Sequence, residues 1–205
     1  MTPGSVRSED GTAIGYLRAG AGPPLVMVHG SLAVAEAWSA VANLLADSFT
    51  CYLMDRRGRG RSNDAPHYSI EREYQDIAAV LNAAGPRPHV IGHSYGAVCA
   101  LGAALETPVD KLILYEPPVG AVFGSEIENY SQAIDAGDPE KALEIGITKI
   151  VGVPQNQFEG VGGVEDVFGE FGRYLAQFDV DFLQTAFFGG AEVRAVPAEG
   201  LHGLA

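Results

Sequence analysis

A serine stands between two glycines in Gly92-His93-Ser94-Tyr95-Gly96, with an apolar run in front of it and a run of small residues behind. Between a strand and a helix this spacing forces a tight turn at the serine, and the glycines permit a backbone approach that larger side chains would block. Such a turn lifts Ser94 Oγ to the carboxyl edge of a sheet and leaves the Tyr95 amide at a helix N-terminus, where a developing oxyanion is stabilised. The chemistry this points to is nucleophilic attack on an acyl carbon, which needs a histidine to take the serine proton. The competing reading is a tight turn that only packs, because a chain with 26 glycines makes chance copies of the pattern.

Hydrophobic periodicity supplies the elements that must hold this turn. Asp10-Gly11 lies between two partly alternating runs, a signal for a β-hairpin. Residues 23–30 and 49–55 are short, nearly continuous apolar runs, as strands buried on both faces read. Between them, 33–48 places Trp38, Val41, Leu44 and Leu45 at helical spacing. An amphipathic helix is predicted over 69–85, with Ser69 as N-cap and Gly85 as stop signal. Residues 88–94 read as strand, 95–106 as helix and 110–116 as strand. The alternation predicts an α/β fold, a mostly parallel sheet with helices on both faces. After Pro117-Pro118 the pattern turns helical up to about residue 190. The predicted organisation is a core over 1–118, a helical lid over 119–190 and a short tail over 191–205.

Two loops share the serine's edge of that sheet. His29-Gly30 closes the strand LVMVHG, and the next residue, Ser31, is placed to supply a second backbone N–H to an oxyanion. Residues 55–62, DRRGRGRS, form a glycine-rich loop with four arginines. With a net charge of −13 and no interleaved aromatics, these arginines are expected to pair with carboxylates and pin the loop, not to bind RNA.

In their order and spacing, LVMVHG, DRRGRGRS, GHSYG and LILYEPP resemble the α/β-hydrolase fold family, in particular its small lidded serine hydrolases, from residue 5 to about 190. The resemblance implies Ser94 as nucleophile and the amides of Ser31 and Tyr95 as the oxyanion hole. Family dehalogenases and epoxide hydrolases carry an aspartate at the position of Ser94, so those chemistries are disfavoured. It also implies two further strand–helix units after the lid, bearing an acid and the histidine. The sequence stops where they would begin, so the C-terminal strands are expected to be missing.

What remains for the triad is Glu116 and one of five histidines. Glu116 ends the strand after the nucleophile helix, where some hydrolases of this fold keep the acid; the alternative is a salt bridge to Arg57 or Arg59, or a cap on the chain leading into the lid. His29 is expected to make an interior hydrogen bond, His89 to be structural, and His93 to point away from Ser94 into the sheet. His67 is a weaker candidate for the pocket wall. His202 preserves the chain order in which the histidine comes last, against the alternative of an exposed terminal residue.

Composition excludes several classes. Twenty-six acidic against 13 basic residues argue against nucleic acid and anionic membrane as partners. No run reaches the ~18 apolar residues of a membrane span, and the N-terminus lacks a signal peptide's pattern, so a cytoplasmic protein is expected. Cys51 and Cys99 lie in apolar runs and read as buried thiols. No Cys or His pair has metal-ligand spacing and no dinucleotide fingerprint follows a strand, so neither metal nor other cofactor is expected. The expected function is hydrolysis of a small-molecule ester or similar acyl bond through a Ser94 acyl-enzyme, impaired if no histidine is in place. The alternative is a truncated or degenerate hydrolase domain that binds without catalysis. An apolar edge strand at 110–116 would invite self-association.

Overall fold

The structure is a computed structural model that describes residues 1–118 and 125–151. The first segment belongs to one compact unit and the second to another.

In the first unit six strands form one mixed sheet: β1 (Thr2–Arg7), β2 (Ala13–Gly20), β3 (Pro24–Val28), β4 (Thr50–Met54), β5 (His89–His93) and β6 (Leu112–Tyr115), in the order β1-β2-β4-β3-β5-β6. The Asp10-Gly11 hairpin forms, with Arg7 opposite Ala13 and Gly11 at φ 86°. β2 joins β4 antiparallel, whereas β4, β3, β5 and β6 run parallel. Helices α1 (Ser39–Leu45), α2 (Ile70–Ala84) and α3 (Tyr95–Glu106) cover both faces.

Alternation along the strands sorts the core. Leu25, Met27, Cys51, Leu53 and Ile91 face Trp38, Val41, Ala42 and Leu45 of the α1 side. Val26, Val28, Tyr52, Met54 and Val90 face Ile77, Val80 and Leu81 of α2 and Cys99, Ala100 and Ala103 of α3. Both cysteines are free and buried. Burial pushes the Cys51 thiol up to about 11 and the Cys99 thiol up to about 12.

The helix ends follow local chemistry. Ser69 Oγ accepts the Arg72 amide, and Gly85, at φ 125°, closes α2. The segment after β3 departs from one continuous helix: a 3₁₀ turn (Ala35–Trp38) leads into α1. Trp38, Val41, Ala42 and Leu45 make the buried stripe at i, i+3, i+4 and i+7, and Leu44, at i+6, falls off it and is 60% exposed. Leu44, although at near-helical spacing with the others, therefore lies off the core.

The second unit contains α4 (Ser125–Asp135), α5 (Pro139–Ile145) and a short π-helical segment (Gly146–Val151). Ala133, Ala142 and Ile145 form its buried cluster with Tyr130 against them. Asp138 caps α5 by accepting the Lys141 amide at 3.0 Å, with Pro139 at the first helical position. The remaining helical patches expected of a lid, and the tail over 191–205, lie outside the described residues.

Candidate active site

β5 ends at His93 and α3 begins at Tyr95, leaving Ser94 alone at the turn with φ 51° and ψ −125°. A left-handed backbone on a residue with a Cβ costs about 1–3 kcal/mol and persists only where surroundings enforce it. Here the Ser94 amide donates to Tyr115 O and Ser94 O accepts the Ala97 amide, both at 2.9 Å. A Cβ on Gly92 would lie 2.5 Å from Gly96 O, and one on Gly96 would collide with His29 O. The flanking glycines are thus required by contact: one lets α3 fold back on the turn, the other lets α3 meet the end of β3.

Gly30 closes on the serine from the β3 side, where a Cβ would sit 3.1 Å from Ser94 Cβ. Ser31 follows it, exposed, and then Leu32 at φ 56°. The loop is tied down at two points. Gly30 O accepts from Arg56 Nη1 at 3.1 Å and stands 2.8 Å from His29 Nδ1; Ala35 N donates to Asp55 Oδ1 at 2.7 Å. Because the Arg56 amide donates to His29 Nε2 at 3.1 Å, the ring proton belongs on Nδ1, which donates to Gly30 O. Burial, against the pull of the Gly30 bond, depresses this imidazole to about 3. His29 makes the interior hydrogen bonds expected of it and has no ring nitrogen left to act as a base.

The arginine-rich loop pairs as read. Arg56 holds Glu73 through two bonds of 2.6 and 3.0 Å, and Arg57 holds Asp76 at 2.7 and 2.8 Å and Asp10 at 3.2 Å. Arg61 binds Asp55 at 3.0 Å and also pairs with Glu36. Arg59 is exposed and donates to the Gly58 carbonyl. The sequence reading missed which acids answer these arginines. Glu73 and Asp76 sit on the buried side of α2 beside Ile77 and Val80, and two acids on an apolar stripe downstream of four arginines were the available signal.

Tyr95 is half-buried, with its ring 4.7 Å from the Arg56 guanidinium carbon and its hydroxyl 2.8 Å from that of Tyr68. The Tyr68 hydroxyl also donates to Glu73 Oε1 at 3.2 Å. Burial, reinforced by the Tyr68 contact, raises the Tyr95 phenol, so it stays neutral.

Glu116 directly follows β6 at φ 49°, its side chain 68% exposed. Its Oε2 lies 3.8 Å from His93 Nε2. The His93 ring is buried beside Tyr115, with burial lowering its affinity for a proton and Glu116 opposing that shift. The alternative that Glu116 pairs with Arg57 is corrected: Arg57 is taken by Asp76 and Asp10. His89 stands 3.4 Å from Asp110 at the opposite end of β5 from the serine. His67 lines an open cleft of about 420 Å³ with Asp10, Thr12, Asn63, Asp64 and Arg72. His202 lies outside the described residues. The structure therefore brings Ser94, the loop of Ser31, Tyr95 and Glu116 to one edge of the sheet. Among the described residues, no cluster of three metal-ligating side chains is present and no helix is long and apolar enough to cross a membrane.

Known proteins share this arrangement of elements. A family model described as the alpha/beta hydrolase family matches residues 25–202. N-formylmaleamate deformylase of Pseudomonas putida is 37% identical over 118 residues, covering 55% of this chain and 44% of that protein. The uncharacterized hydrolase YraK of Bacillus subtilis is 33% identical over 132 residues, 61% of this chain and 49% of that one. The chain thus spans about half the length of the curated relatives it matches. A crystal structure of an alpha/beta hydrolase from Sphaerobacter thermophilus superposes with a TM-score of 0.73 at 31% identity, over 91% of this chain and 74% of that one. With the six-stranded sheet and the strand–serine–helix turn in place, these matches make the chain a member of the alpha/beta hydrolase family.

Proposed function

We propose that the protein is a serine hydrolase that cleaves a small acyl bond, ester or amide, through an acyl-enzyme on Ser94. The observation that carries this reading is the backbone at Ser94. A strained φ of 51° is maintained at the carboxyl edge of the sheet, with Gly30 on one side and the start of α3 on the other. Ser94 Oγ attacks the acyl carbon as a histidine takes its proton, and the amides of Ser31 and Tyr95 receive the oxyanion. Collapse expels the alcohol or amine with that proton, and water repeats the sequence to release the acid. Glu116 serves as the acid of the triad and His202 as its base. Relationship to a deformylase supports extending the substrate class from esters to amides.

Labelling with a fluorophosphonate, followed by peptide mass analysis, tests the reading. Ser94 is expected to carry the label, and Ser94→Ala to lose both the label and about 10⁴- to 10⁶-fold in turnover of an activated ester. A wild-type protein that takes no label, or a label retained by Ser94→Ala, would overturn it.

A further inference from the structure

Arg56 does more than neutralise Glu73. Its Nη1 reaches Gly30 O at 3.1 Å, while Nε and Nη2 are held by the Glu73 carboxylate. Its guanidinium carbon lies over the Tyr95 ring, 4.7 Å from the centroid. Gly30 O is the carbonyl of the Gly30–Ser31 peptide, and no peptide bond among the described residues is cis. In a trans peptide the C=O and the N–H point in opposite directions. Fixing Gly30 O inward on Arg56 and His29 therefore turns the Ser31 N–H the opposite way, in a loop that meets Ser94 at Gly30. Hydrogen bonds in chains also polarise one another, so a cation on the carbonyl strengthens the amide of the same peptide as a donor.

We infer that Arg56 is a positioning residue that sets both oxyanion donors at once, aiming and polarising the Ser31 amide through the Gly30 carbonyl and bracing Tyr95 through its ring. One guanidinium from the loop after β4 thereby keys the loop after β3 to the turn after β5, with Glu73 of α2 holding the key. A lysine cannot reproduce this, because a point ammonium lacks the fork that serves the carboxylate and the carbonyl together. The inference rests on the serine-hydrolase reading for its effect on rate, but its geometry can be tested without turnover.

The experiment combines ester kinetics with amide NMR on the 205-residue protein. Arg56→Met is expected to lower kcat on a p-nitrophenyl ester about 10- to 100-fold, up to the lower bound for losing one oxyanion donor outright, with KM within about twofold. The ¹⁵N–¹H signals of Ser31 and Tyr95 are expected to move with it. Arg56→Lys should recover only part of either change. Arg57→Met is the control: its guanidinium holds Asp76 and Asp10, so stability should fall while the Ser31 signal stays in place. If Arg56→Met fails to fold with Glu73 unpaired, the double variant Arg56→Met with Glu73→Gln removes both charges and gives the same readings. An unmoved Ser31 signal, or equal changes in Arg57→Met, overturns the inference. Movement of the Ser31 signal in a protein whose wild type turns over no ester supports the clamp and counts against the hydrolase reading alone.

Discussion

The two ends of the sheet's carboxyl edge are built differently. Beyond β4, three of the four arginines are matched to carboxylates, and the Arg57–Asp76 pair has side chains only 1% and 0% exposed. Beyond β6, Glu116 is 68% exposed, sits at a left-handed φ, and has the His93 ring, whose affinity for a proton burial lowers, 3.8 Å away. Burying a charge is tolerable only when partners satisfy it, so the first region reads as scaffold. An exposed carboxylate on a strained backbone contributes little to stability, and its placement needs another account. The contrast separates groups that hold the turn from groups free to meet a substrate or a catalytic partner.

Substitutions at the two ends should therefore fail in opposite ways. The largest effect belongs to the β6 end: Glu116→Gln is expected to cost about 10⁴-fold in kcat, the scale of neutralising a triad acid, while stability changes by less than about 0.5 kcal/mol. Steady-state kinetics beside urea unfolding would check it, and a stability loss with rate intact would move Glu116 into the scaffold. At the β4 end, Asp76→Ala leaves the buried Arg57 guanidinium with Asp10 as its remaining carboxylate and should cost about 3 kcal/mol in urea unfolding, the low end for breaking a buried pair. A cost within experimental error would erase the distinction. The effect that is smallest near neutral pH, and grows only on acidification, is a pH dependence from the buried histidine. The His29 pKa is depressed by burial from an ordinary 6.5 to about 3, so the unfolded chain binds the proton first. Its contribution is complete above pH 6.5 and is lost as pH falls toward 3, at a slope of about 1.4 kcal/mol per pH unit. Comparing wild type with His29→Asn across that range isolates the term; identical slopes would show that His29 is protonated without penalty.

Local rules made much of this architecture legible. The Asp10-Gly11 turn, the Ser69 cap, the Gly85 stop and the strand–serine–helix turn each depend on neighbours within a few residues. A list of apolar residues at near-helical spacing does not say which of them share the stripe of Trp38, and Leu44 does not. That the arginines meet carboxylates was legible, and the acids on the apolar stripe of α2 were a signal, but which acid meets which arginine was not. Their identity depends on β4 lying between β2 and β3, which brings Asp10, Gly30 and α2 around one loop. The Gly30–Arg56 contact leaves no compositional trace, since the acceptor is a backbone carbonyl.

Chain connectivity ranks the anchors of that loop. Arg56 and Glu73 are 17 residues apart, Arg57 and Asp76 are 19, Arg56 and Gly30 are 26, and Arg57 and Asp10 are 47. Closing a span of 47 residues in place of 17 adds about 0.9 kcal/mol of loop entropy. The contacts with α2 and Gly30 are thus the less costly ones to close, and the bond to the amino-terminal hairpin is the most costly. The Gly30 carbonyl draws its guanidinium from the short-range half of the network, so its orientation does not wait on the first ten residues.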